Sequence, residues 1–155
     1  MTSRVIVSMR MSASPARVFQ AFTEEVGVWW RPNTLFQFTP RDPGRVAFQG
    51  GQGGRFMEIL ADGKEFEIGR ITAWEPGVRL AFGWRQASFS AGQHTHVEVR
   101  FEPVENGTRV TIEHVGWDSI PASHVARHGF PGSIFLRRLG EWWTDLLAAC
   151  ASSIQ

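Results

Sequence analysis

The stretch Gly53–Trp84, GGRFMEILADGKEFEIGRITAWEPGVRLAFGW, holds three strand-like runs separated by two turns whose chemistry can be named. Asp62-Gly63, within ADGK, suits a tight hairpin, and Pro76-Gly77, within EPGV, suits a second turn. The runs are Arg55–Leu60, Glu65–Trp74 and Arg79–Arg85, and turns this short make consecutive strands antiparallel neighbours. The pattern continues downstream, where His94–Glu102 and Arg109–Trp117 flank the Asn-Gly of VENGT (Val104–Thr108). A meander of this kind needs a partner layer to cover its apolar face.

The two ends of the chain supply that layer. Arg4–Met11 alternates Val5, Val7, Met9 and Met11 against Arg4, Ile6, Ser8 and Arg10, a half-buried strand. Ser14 then stands as an N-cap with Pro15 at the first helical position, which predicts a helix to Thr23, and Glu24–Trp30 adds a brief second turn that Pro32 stops. Ser133–Ser153 carries Phe135, Leu139, Trp142, Leu146 and Cys150 on one helical face, widened by Ile134, Leu136, Trp143 and Leu147. The expected architecture is α+β: one antiparallel sheet curling around a C-terminal helix, in a single domain spanning 1–155.

Composition narrows the function. A net charge of +1 across 155 residues gives no electrostatic footprint for nucleic acid, so no nucleic-acid partner is expected. Lys64 is the one lysine, and the arginines are scattered between apolar residues. Cys150 stands alone, which suits a reducing cytoplasm, and neither a signal peptide nor an eighteen-residue apolar run occurs, so no membrane insertion is expected. Without tyrosine, no mechanism that needs a phenol applies. GGQGG (Gly50–Gly54) lacks the strand, Lys-Ser/Thr pair and helix of a phosphate loop. No G-x-S-x-G elbow occurs and no cofactor is implied.

Read together, the Gly53–Trp84 string, ENGTRVTIEHVGW (Glu105–Trp117) and GEWWTDLL (Gly140–Leu147) resemble the START-like, or SRPBCC, superfamily, in the branch named after activators of the heat-shock-protein-90 ATPase. The resemblance covers nearly the whole chain in order. It implies a helix-grip (START-like, Bet v 1-like) fold: a curved sheet around the last helix, with a cavity between them that often holds an apolar ligand. The superfamily includes lipid carriers, hormone receptors, polyketide cyclases and chaperone regulators, many of them bacterial, so fold leaves function open.

Hairpin register places the candidate residues. With Asn106-Gly107 as the loop, Val99 faces His114, Phe101 faces Ile112 and Arg100 faces Glu113, so His114 points to the helix side. His96 then points outward with Glu98, which separates it from His114, and no metal site is expected from His94, His96 and His114. His114 has two readings: a satisfied core histidine, or a polar handle that orients a ligand or serves as acid/base near neutral pH. The Pro-Gly turn sets Ile71 against Phe82 and Gly69 against Trp84, leaving room for the indole, and makes Leu80, Phe82 and Trp84 an aromatic wall. At the Asp-Gly turn a two-residue loop would pair Glu58 with Glu67, whereas a three-residue loop shifts the partner by one and changes the faces; inside a cavity the Glu58–Glu67 pair would supply an acid and a base, but solvated edge carboxylates are the expectation.

The adjacent Trp29 and Trp30 cannot share one face. One is expected in the core while the other roofs the cavity beside a mobile flap carrying Phe36 and Phe38. The residues expected to line the ligand site are Trp29, Trp30, Phe36, Phe82 and Trp84, with His114, Trp117, Phe135, Leu139 and Trp142 across from them. Seven tryptophans and twelve phenylalanines favour binding a small or medium apolar molecule (a lipid, polyketide or aromatic) over catalysis. A cyclase or hydratase using His114 and Glu58, and a chaperone co-regulator, are the alternatives. An exposed sheet edge leaves a homodimer open.

Overall fold

A computed structural model describes residues 4–154. The first strand, β1 (Arg4–Met11), buries Val5 and Met11 and exposes Arg4, Ile6, Ser8 and Arg10, as its alternation requires. Ser14 caps α1 (Pro15–Thr23), its side chain accepting from the Arg17 amide at 3.2 Å. The short α2 (Val26–Trp29) follows, and the loop beyond it contains a 3-10 turn at Thr34–Phe36. Six further strands come next: β2 (Arg45–Gln49), β3 (Arg55–Ile59), β4 (Glu65–Glu75), β5 (Arg79–Trp84), β6 (Thr95–Val104) and β7 (Gly107–Val115). Two 3-10 turns, Trp117–Ser119 and Val125–Arg127, lead to α3 (Gly132–Ile154).

The strands form one antiparallel seven-stranded sheet in the order β1-β7-β6-β5-β4-β3-β2. Chain order wraps β7 back beside β1, and β2 lies on the far edge. The sequence reading missed β2, whose Val46 and Phe48 alternate between Gly44 and GGQGG. That glycine stretch is the β2–β3 turn, with positive φ at Gly50, Gly51 and Gly53. Register slips on both sides of β4 let this long strand bend, and the sheet curls around α3. Phe135, Leu139, Trp142, Trp143, Leu146, Leu147 and Cys150 face the sheet fully or almost fully buried. Each large side chain so placed stabilises the fold by about 1.5–3 kcal/mol.

One register and the reason for one glycine are corrected, and one open register is decided. The β6–β7 loop is Glu105-Asn106, because Val104 still pairs with Gly107, where a side chain would strike the Met11 carbonyl of β1. Val97 therefore faces His114, and Val99 faces Ile112. The shift is two residues, so His114 keeps its inward side. Arg100 consequently lies opposite Thr111 and pairs with Glu98 at 2.6 Å, while Glu113 takes Arg4 at 3.1 Å. Ile71 does face Phe82, but Gly69 is required by the Gly83 carbonyl, which would stand 1.9 Å from a Cβ there, and not by an indole. At the Asp-Gly turn the partner is shifted by one from the two-residue-loop register: Glu58 faces Phe66 and Met57 faces Glu67, so the two carboxylates do not meet.

Candidate functional site

The inner face of the sheet delivers Trp84 from β5 and His114 from β7 to the same depth, and α3 brings Trp142 and Trp143 down onto them. Trp30, from the end of α2, closes the group, with ring centroids 6.2 Å from Trp84, 5.6 Å from Trp142 and 6.1 Å from Trp143. These rings fill the space where the fold resemblance implied a cavity. Packing of large side chains at this spacing leaves an interior as dense as any core.

His114 is fully buried here. Trp143 Nε1 donates to its Nδ1 at 3.1 Å, and Nε2 lies 2.7 Å from Thr95 Oγ1, which in turn donates to the Trp84 carbonyl at 3.1 Å. Trp117 Nε1 stands 3.2 Å from the same Nε2. Indole N–H groups only donate, so a second ring proton would set N–H against N–H on both sides. Burial, with a small contribution from His96, takes the imidazole down to about 3. Of the two readings of His114, this geometry matches the satisfied core histidine rather than an acid/base near neutral pH: the ring knits β7, β6 and α3 together.

The buried acid is Glu58 instead. Expected as a solvated edge carboxylate, it is only 4% exposed on β3. Thr39 Oγ1 donates to one of its oxygens at 3.3 Å and the Gly44 amide to the other at 3.2 Å. Burial pushes its pKa up, and these two donors only partly oppose that. Glu58 lines a crevice with Trp30, Asn33, Phe36, Arg41 and Trp142. Phe36 stacks on Trp142 at 5.2 Å and 13°, and Trp142 Nε1 donates to the Arg31 carbonyl at 2.9 Å. The crevice has a volume of about 10 Å³, enough for one water.

A larger space adjoins it. A groove of about 370 Å³ runs between the 34–40 loop, the end of β5 and the Val125–Arg127 turn. Its walls include Leu35, Pro40, Gln86, Ser88, Val125 and His128. Gln37, Phe38 and Thr39 border both spaces, so Phe38 is the partition between groove and crevice. Phe38 is 4% exposed and packs edge-on to Trp84 at 4.9 Å. The expected flap carrying Phe36 and Phe38 is thus folded inward in this structure, with both rings buried.

Of the residues expected to line one site, Trp30, Phe36 and Trp142 converge on the crevice. Trp29 does not: its indole is fully buried and donates to the Ala21 carbonyl at 2.8 Å. Phe82 packs behind it on Phe48 and Phe56, while Trp84, His114, Trp117, Phe135 and Leu139 belong to the closed interior. Sequence reasoning missed Thr39, Gly44 and Gln86, which lie in or beside loops. Only the alternation carrying Trp84 on to Gln86, two residues later, signalled the last of them.

A family model described as Activator of Hsp90 ATPase homolog 1-like protein matches residues 12–143. Among solved structures, protein BH1534 from Bacillus halodurans is similar at 18% identity over 100% of both chains, with a TM-score of 0.69. The Aha1 dimer from Colwellia psychrerythraea is similar at 18% identity over 90% of this chain and 94% of that one, with a TM-score of 0.56. Txn09, described as an anthrahydroquino-gamma-pyrone synthase complexed with SUM, is 30% identical over 96% of this chain and 95% of its own, with a TM-score of 0.56. No match was found among curated proteins. Among the described residues no helix is long and apolar enough to cross a membrane.

Proposed function

The chain belongs to the Activator of Hsp90 ATPase homolog 1-like protein family, and from that premise we propose that it takes up a small or medium apolar molecule at the open end of the fold, between the 34–40 loop, the end of β5 and the Val125–Arg127 turn. The observation that carries this reading is the 370 Å³ groove, a ligand-sized space separated from the Trp30–Trp142–Glu58 crevice by Phe38. Swinging Phe36 and Phe38 outward would join the two and expose Trp30 and Trp142 to the ligand. We place this uptake in the cytoplasm, where the lone, buried Cys150 has no disulfide to form. Native mass spectrometry of the purified protein, with organic extraction of the same sample, tests it. A co-purifying apolar species is expected; a bare chain whose tryptophan emission no apolar probe alters overturns it.

Similarity to Txn09 favours a second reading, a cyclase-type enzyme working in the same space. Glu58 is the group fitted to move a proton there, since its pKa is already raised by burial. In this reading Glu58→Gln leaves binding of an aromatic polyketide intact and abolishes its turnover. Unchanged turnover in that variant removes it.

A further inference from the structure

Resting on that uptake reading, we propose that the groove selects uncharged molecules bearing a carbonyl oxygen, which the Gln86 carboxamide recognises. Gln86 continues the inward row of Leu80, Phe82 and Trp84 beyond the end of β5, and the Arg85 amide still donates to the Ile68 carbonyl at 3.0 Å. Its side chain is 4% exposed, yet Nε2 has no hydrogen-bond partner among the described residues. A buried amide N–H left unpaired keeps its desolvation penalty with no bond to offset it, so a group of this kind calls for an acceptor.

The surroundings say which acceptor. No Asp, Glu, Lys or Arg lines the groove, and its one titratable side chain, His128, is turned to the Leu35 carbonyl. An ionic ligand would enter this wall without a counter-charge. The rim is apolar, with Val125 70% exposed, and the floor is fixed by the Ala87 amide donating to the Phe38 carbonyl at 2.6 Å. One unpaired donor beside largely apolar walls with no charge suits an acceptor-bearing ring system rather than a fatty-acid carboxylate.

Fluorenone and fluorene test this, since they share a ring system and differ by one carbonyl oxygen. With ¹⁵N-labelled protein, fluorenone should shift the Gln86 side-chain amide signals and fluorene should not. Fluorenone should also bind more tightly, by between about twofold and tenfold, the range of one neutral hydrogen bond. Gln86→Leu should erase that preference, with its ¹⁵N spectrum reporting that the variant is folded; Gln86→Asn should restore part of it. Equal binding of both probes to wild type, with unmoved Gln86 signals, overturns carbonyl recognition and leaves apolar uptake standing. Binding of neither probe, in a protein that carries no apolar species, overturns both.

Discussion

The indole of Trp143 on α3 donates its N–H to Nδ1 of His114 on β7 across 3.1 Å, so the long helix and the sheet share a polar bond inside an aromatic core. One short side chain thereby fixes how α3 rotates over the sheet, because slipping the helix by a residue would move Trp143 off the ring.

That bond carries a pH dependence. With the folded imidazole at about 3 and its ordinary value at 6.5, the unfolded chain binds a proton that the folded one refuses between those limits. The stability that burying the ring neutral contributes is present above pH 6.5 and is lost as pH falls toward 3, up to about 5 kcal/mol. Urea unfolding of wild type and His114→Gln at pH 7 and pH 4 should show the wild-type advantage shrinking in acid. A constant difference would contradict it.

Glu58 works in the opposite direction. Its folded pKa is raised above 4.5, so its neutral form favours folding and this contribution is lost as pH rises through the raised value. Glu58→Gln should match wild type near pH 4 and gain on it at pH 7. A gap that narrows with rising pH would show that Gly44 and Thr39 stabilise the carboxylate more than burial penalises it.

The tryptophan doublet should divide by consequence. Trp29→Ala removes a fully buried indole and its bond to Ala21, at a cost of about 3–5 kcal/mol, without opening the crevice. Trp30→Ala also costs stability, but it removes the wall facing Trp142 and should raise uptake of N-phenyl-1-naphthylamine, read by its fluorescence. Equal dye uptake by both variants would sink this division.

Arg127 clamps the segment before α3. One terminal nitrogen donates to the Trp117 carbonyl at 3.1 Å and the Ile120 carbonyl at 2.8 Å, and the guanidinium lies 4.9 Å from the Phe135 ring centroid. Arg127→Met leaves the Ile120 carbonyl without its donor, while the Trp117 carbonyl keeps the Ile120 amide at 3.0 Å, a loss of about 1–3 kcal/mol, with faster hydrogen exchange across 117–127. Rescue by Arg127→Lys should be partial, since a lysine cannot hold the planar fork. Unchanged exchange would mean that the segment is held from elsewhere.

Much of the fold was legible because local chemistry repeats it. Ser14-Pro15 started α1 where expected, the alternation of Val5 to Met11 gave β1, and the spacing from Phe135 to Cys150 gave α3. The β2 strand was missed because five residues between glycine-rich segments carry too few alternations to stand out. The Asn-Gly turn slipped because contact with β1, far away in sequence, decided that Gly107 belongs in the strand.

The candidate site was legible only as a set of residue types. Periodicity determined which side chains turn inward, and so placed His114, Trp84 and Trp142 on one side of the sheet. Whether inward meant cavity or core depended on how five aromatic rings from α2, β5, β7 and α3 fit together, and here they close the interior. Burial of Glu58, neutrality of His114 and the unpaired amide of Gln86 were likewise set by long-range neighbours: the Thr39–Gly44 loop, two indoles, and a groove framed by segments 34–40 and 125–128. Local sequence fixes the direction of a side chain; the dielectric around it and the partners it meets come from chain segments that only folding brings together.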